Sequence, residues 1–161
     1  MYQPSTPEEY LRYLPVILCN VALGNNPTNA KYRVGNGSAA TLFVYLADTV
    51  YHLERSWTTD ASELQAWVQS GGVAITNVGK GNIFTGGEHF MFVPYIDDDY
   101  IYIMDPYLKP NDDYSATDKH GRIEVLQPGT GLLRLKRSDW KWLGFGGFYL
   151  FKKEAQTFVT Q

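Results

Sequence analysis

The chain holds a single cysteine, Cys19, among 161 residues. One thiol excludes an internal disulfide framework and any cysteine-rich zinc site. It leaves the compartment open, because a disulfide-free domain can sit in the cytosol or outside the cell. Basic charge is also scarce. The 14 Lys and Arg are outnumbered by 17 Asp and Glu, the net charge is −3, and no dense basic run occurs. That gives no electrostatic case for nucleic acid or for an anionic membrane surface. Long apolar runs are missing too. The stretch YLPVILCNVAL covers only about half a membrane span. It contains Pro15 and follows Glu8-Glu9, so it lacks the basic start of a signal peptide. The expectation is a soluble protein with no membrane span and no visible signal peptide. The glycine-rich GKGNIFTGG, from Gly79 to Gly87, lacks the Walker spacing and leads into a strand, which excludes a phosphate loop. No internal repeat or linker is visible.

What is present suits one compact domain. Hydrophobic residues make up 44% of the chain, enough for a core of its own. We read residues 1–161 as one domain, with an N-terminal helix and loop over 1–30 and the core over 31–161. Aromatic residues reach 15%, which tilts toward a binding surface.

Ser5-Thr6-Pro7-Glu8-Glu9 spells a helix start, with a hydroxyl cap, proline in the first turn and acids at the positive end of the dipole. That helix should reach about Ala22, bent near Pro15, and stop at Gly24. GNNPTNAKYRVGNG reads as a loop. A second helix should begin near Ser38, where SAATLFVYLADTVYHL is apolar on most faces and so should be buried and central. Thr59-Asp60-Ala61-Ser62-Glu63 caps a short third helix through Trp67 or Val68, ended by Gly71-Gly72. VAITNV, HFMFVPY, YIYIMDPY, RIEVL, LLRLK and GFYLFKK read as strands. KRSDWKWLGFGG reads as a turn-rich connector. Helices come first and a mostly antiparallel sheet follows, which is an α+β order.

The chemistry concentrates in one hairpin. His89 heads an apolar strand, Asp97-Asp98-Asp99 make the turn, and the return strand ends in Asp105-Pro106. A tight antiparallel hairpin brings its far ends together. His89 and Asp105 should therefore sit side by side. A carboxylate that fixes an imidazole is the second half of a nucleophile–base–orienter triad. The nucleophile of such a triad belongs at a helix N-terminus, where the dipole favours a thiolate. That place reads Gly35-Asn36-Gly37-Ser38.

With these residues the chain resembles the papain-like cysteine peptidases of the double-glycine leader peptidase type, in their bacterial and phage peptidase-like branch. Gly35-Asn36-Gly37 is similar to the family's glycine-cysteine-glycine turn that opens a central helix. Gly86-Gly87-Glu88-His89 is similar to its glycine-glycine-histidine strand start, with Glu88 as an extra residue. Asp105-Pro106 matches its aspartate-proline, and Gly71-Gly72-Val73 its turn into the strand before the histidine. The resemblance runs from about Lys31 to Pro106, and GFYLF fits a closing strand.

The resemblance implies a papain-like layout, a central buried helix packed on an antiparallel sheet. It implies catalytic positions at Asn36, His89 and Asp105, with Asn26 and Asn29 as oxyanion candidates. It implies no metal and no cofactor. The cysteine position holds Asn36, and an amide is a poor nucleophile that no histidine can turn into a thiolate equivalent. The expected function is therefore a peptidase-like domain without its nucleophile, which binds or scaffolds an extended peptide or a cell-wall peptide. A second reading is an active peptide or amide hydrolase, possibly cell-wall directed, whose cysteine was replaced by Asn36. A third is a virion or surface assembly protein that reuses the fold.

Other residues have plainer readings. Cys19 lies in an apolar helical stretch, as a structural thiol would. Three consecutive acids point in different directions, so Asp97-Asp98-Asp99 reads as a solvated turn and not as a calcium site. Asp112, Asp113, His52 and His120 read as loop or surface residues. Trp140 and Trp142 alternate, so on an extended strand both would face one side, packing the core or lining a groove. Gly146-Gly147 suits a bend or bulge.

Overall fold

The computed structural model describes residues 33–34, 37–79, 84, 88–106, 121–127 and 130–153. The N-terminal helix expected to Ala22, the loop from Leu108 to His120, and Cys19 lie outside the described residues. The chain divides into two compact units, Met1–His52 and Leu53–Gln161. The fold is α+β, with a seven-stranded antiparallel sheet and short helices. Among the described residues no helix is long and apolar enough to cross a membrane.

The first unit contains a small hairpin, β1 (Arg33–Val34) and β2 (Gly37–Ser38), with Val34 paired to Gly37. The sequence suggests loop here, and a helix starting near Ser38. Instead the glycine–asparagine step lies between two extended pairs, a spacing that favours hairpins. Helix α1 (Ala40–Tyr45) starts later, because Ala39 is still extended (φ −84°, ψ 150°). It continues as a π-helical stretch, Leu46–Tyr51. His52 then takes a left-handed backbone (φ 49°, ψ 58°), which ends the helix before Leu53. Leu42, Leu46 and Ala47 are buried, whereas Thr41, Asp48 and Thr49 are exposed. The helix therefore buries one face, not most of its surface.

The second unit opens with β3 (Leu53–Thr58), a strand that the sequence pattern does not announce. Four of its six residues are exposed, so no apolar alternation marks it. Helix α2 (Ala61–Gln69) follows. Its N-cap is Asp60, whose carboxylate accepts from the backbone N–H of Ser62 (2.8 Å) and Glu63 (2.9 Å). Its end is a paired turn, in which Gly71 N–H donates to Val68 O and Gly72 N–H to Trp67 O. Leu64 and Val68, one turn apart, carry its buried face.

The other strands are β4 (Val73–Val78), β5 (His89–Ile96), β6 (Tyr100–Met104), β7 (Ile123–Gln127), β8 (Leu132–Lys136) and β9 (Phe145–Lys153). Their order across the sheet is β3-β9-β4-β5-β6-β8-β7. Period-two alternation sends one side of each strand into the core. Ala74, Val78, Met91, Val93, Ile101, Ile103, Leu133, Leu135 and Phe148 are essentially buried there, and α2 packs on β4, β5 and β9. Helix α2 is thus a helix of this unit that covers the sheet.

Two irregularities matter for the site. Between Phe92 and Tyr95 the β5–β6 register shifts, and Pro94 sits in that step, where a missing N–H does least harm. In β9 the register shifts opposite Asn77 and Val78, which is the bulge expected at Gly146-Gly147. The buried Thr76 hydroxyl donates to Gly147 O (3.1 Å), satisfying both groups. Arg137–Trp142 winds into a 3-10 helix. This stretch is therefore not the extended strand that the alternation argument assumed.

Candidate functional site

Strand pairing alone brings the site together. In the β4–β5 ladder Val78 pairs with His89, Thr76 with Met91 and Ala74 with Val93. Directly paired residues share a face, so His89 lies on the core side, in line with Met91 and Val93. In the β5–β6 ladder Phe92 pairs with Met104. One step further along, Asp105 comes opposite Met91 and diagonal to His89, a separation that long side chains span. The contact forms. His89 Nε2 lies 2.6 Å from Asp105 Oδ1. The His89 side chain is 13% exposed and the Asp105 side chain 1%. The imidazole thus opens to solvent while the carboxylate is sealed beneath it.

A second strand pair clamps Asp105. Its backbone N–H donates to Gly131 O (2.9 Å), just before β8. Gly131 has φ +77°, and a side chain there would overlap the Asp105 carbonyl oxygen. Only glycine allows both that backbone and that approach. The turn leading in is shaped by Thr130, whose hydroxyl donates to Gln127 O (2.8 Å) and accepts from Leu132 N–H (3.2 Å). Sequence reasoning missed Gly131. Its only sign was a glycine immediately before an apolar strand.

The arrangement has a defined chemical capacity. A carboxylate on Nε2 favours the tautomer protonated there and fixes the ring plane. A base acting from this ring would use Nδ1. The pair supplies the base and its orienter. Asn36, the expected nucleophile position, lies outside the described residues, as do Asn26 and Asn29. The helix whose start the sequence placed beside Asn36 begins at Ala40, and Ser38 is in β2.

The remaining candidates fall elsewhere. Trp140 is half-buried and packs against the core, stacked on Phe148 at 5.0 Å and edge-on to Phe145 at 5.4 Å. The Trp142 side chain lies outside the described portion. Asp97 shapes the hairpin turn, its carboxylate accepting from Asp99 N–H (2.9 Å) and Tyr100 N–H (2.7 Å). Asp98 accepts from Gln65 Nε2 at 2.9 Å. Among the described residues no three His, Cys, Asp or Glu side chains converge as a metal site would need. Comparison with family models, curated proteins and solved structures finds no match to this chain.

Proposed function

We propose that this protein is a papain-like, cysteine-peptidase-like domain without its nucleophile, which binds or scaffolds an extended peptide. The observation that carries the reading is the His89–Asp105 contact, at 2.6 Å, with the imidazole partly open and the carboxylate sealed. Pairing a buried carboxylate with a ring at the sheet end costs desolvation, and base–orienter pairs are a well-attested use of that cost. On this reading the sequence has Asn36 where the family has its cysteine, and an amide offers no proton for a base to take, which favours binding over cleavage.

The test restores the missing group. Asn36→Cys should give a thiol that alkylates with iodoacetamide at neutral pH about tenfold faster than a thiol titrating near 8.5, because a neighbouring imidazole favours the thiolate. His89→Gln in the same background should remove that advantage while leaving Asp105 a donor. A thiol at residue 36 that reacts at the same rate with and without His89 would refute the assignment.

One observation favours the assembly reading. Trp57, Val73, Tyr95 and Met104 are all substantially exposed and lie on the sheet face opposite the core. Exposed apolar patches of that kind mark contact surfaces. A stable oligomer in sedimentation velocity, dissociated by Tyr95→Lys, would support assembly. A monomer at all concentrations would count against it.

A further inference from the structure

The sheet carries a second feature, on the face away from His89 and Asp105. Asn77 and Tyr149 occupy that face, because their ladder neighbours Val78 and Phe148 point to the core. A cavity of about 170 Å³ opens there, bounded by Trp57, Tyr149, Asn77 and Glu88, with Gly146 and Gly147 among its lining residues. It spans four neighbouring strands or strand ends, β3, β9, β4 and the start of β5. The two glycines and the short Asn77 side chain create the depth, since larger side chains at those places would fill it.

Trp57 supplies the wall. Its indole lies against Gly147, where an added Cβ would come within 2.8 Å of the ring. Gly147 has φ +142°, so glycine is needed for the backbone as well as the contact. One side of the indole is thus held on the sheet while 54% of the residue stays exposed. Tyr149 is the partner of Trp57 in the β3–β9 ladder and adds a second ring beside it. Among the described residues that line the cavity, Glu88 is the one with a formal charge.

We propose that this cavity binds the cationic head of a basic side chain, an ammonium or guanidinium presented by a peptide. Aromatic faces attract cations through their quadrupole, and guanidinium groups also stack on them. Glu88 supplies the opposite charge, and the Asn77 amide is a further hydrogen-bonding group. The volume fits one side-chain head and not a folded segment. The inference does not depend on His89 or Asp105, which are not among the residues lining the cavity.

The test uses the full chain and a small probe. N-acetyl-arginine amide is titrated while the Trp57 indole N–H resonance, assigned through Trp57→Phe, is followed by NMR. A saturable shift is expected. Glu88→Gln should weaken binding about threefold to fivefold, and Trp57→Ala about fivefold or more. Gly146→Val should block the cavity, and the fold should tolerate it, since among the described residues a Cβ at Gly146 meets Asn77 O alone, at 3.4 Å. N-acetyl-citrulline amide, neutral and nearly isosteric, should bind at least fivefold more weakly. Equal binding of the citrulline probe, unchanged affinity in Glu88→Gln, or no saturable shift with the arginine probe would each overturn the proposal. His89→Gln should leave this binding unchanged while removing the base–orienter pair, so failure here and failure of the peptidase-like reading can be told apart.

Discussion

Gly131→Ala should loosen the candidate site without touching either of its side chains. The substitution acts twice. A non-glycine residue at φ +77° pays roughly 1–2 kcal/mol in backbone strain. The new Cβ also overlaps the Asp105 carbonyl oxygen, so β8 and the end of β6 must move apart. Overpacking of that kind typically costs about 1–3 kcal/mol. The total expected is about 2–5 kcal/mol. Gly121 provides the control, because its φ is +74° and a Cβ there meets nothing within 4 Å among the described residues. Gly121→Ala should cost the backbone part alone, roughly 1–2 kcal/mol. Urea unfolding of both variants, compared at equal m value, measures the difference. The His89 ring resonances should shift in Gly131→Ala and stay in place in Gly121→Ala. Equal destabilisation by the two variants, with the His89 resonances unmoved, would refute the claim that Gly131 positions Asp105.

Three further outcomes follow from the same geometry. His89→Ala and Asp105→Ala should each destabilise by about 1–3 kcal/mol, because each removes one side of a 2.6 Å contact to a buried carboxylate. Unchanged urea unfolding in both variants would contradict the contact. Asp60→Ala should cost about 1 kcal/mol through loss of the α2 cap, and Asp60→Asn much less, read in the same assay. Phe148→Ala should cost about 3–5 kcal/mol, since Phe148 is fully buried and packs against both Trp140 and Phe145.

The hairpin β5–β6 was legible because its apolar residues alternate and its turn is acidic, and that alone placed His89 beside Asp105. Strands β4, β7, β8 and β9 were legible as short apolar runs bounded by turn residues. Strand β3 was not, because Glu54, Arg55, Ser56 and Trp57 are all exposed and an edge strand draws its pairing from β9 rather than from its own pattern. Helix α1 begins within two residues of the expected start near Ser38, but it was read as too deeply buried. Its apolar residues outnumber the positions that its single buried face fills, and hydrophobicity alone does not say which are covered. Gly131 was invisible because its role is a contact with a residue 26 positions earlier, which no local pattern encodes.

The most direct test of the central claim is the protonation site of His89 in solution. Two-bond nitrogen–proton correlation spectra of the imidazole report which nitrogen carries the proton. If Asp105 orients a base, the proton sits on Nε2, is shifted downfield and exchanges slowly, and Asp105→Ala releases that preference. A proton on Nδ1, or a tautomer indifferent to the loss of Asp105, would contradict the account.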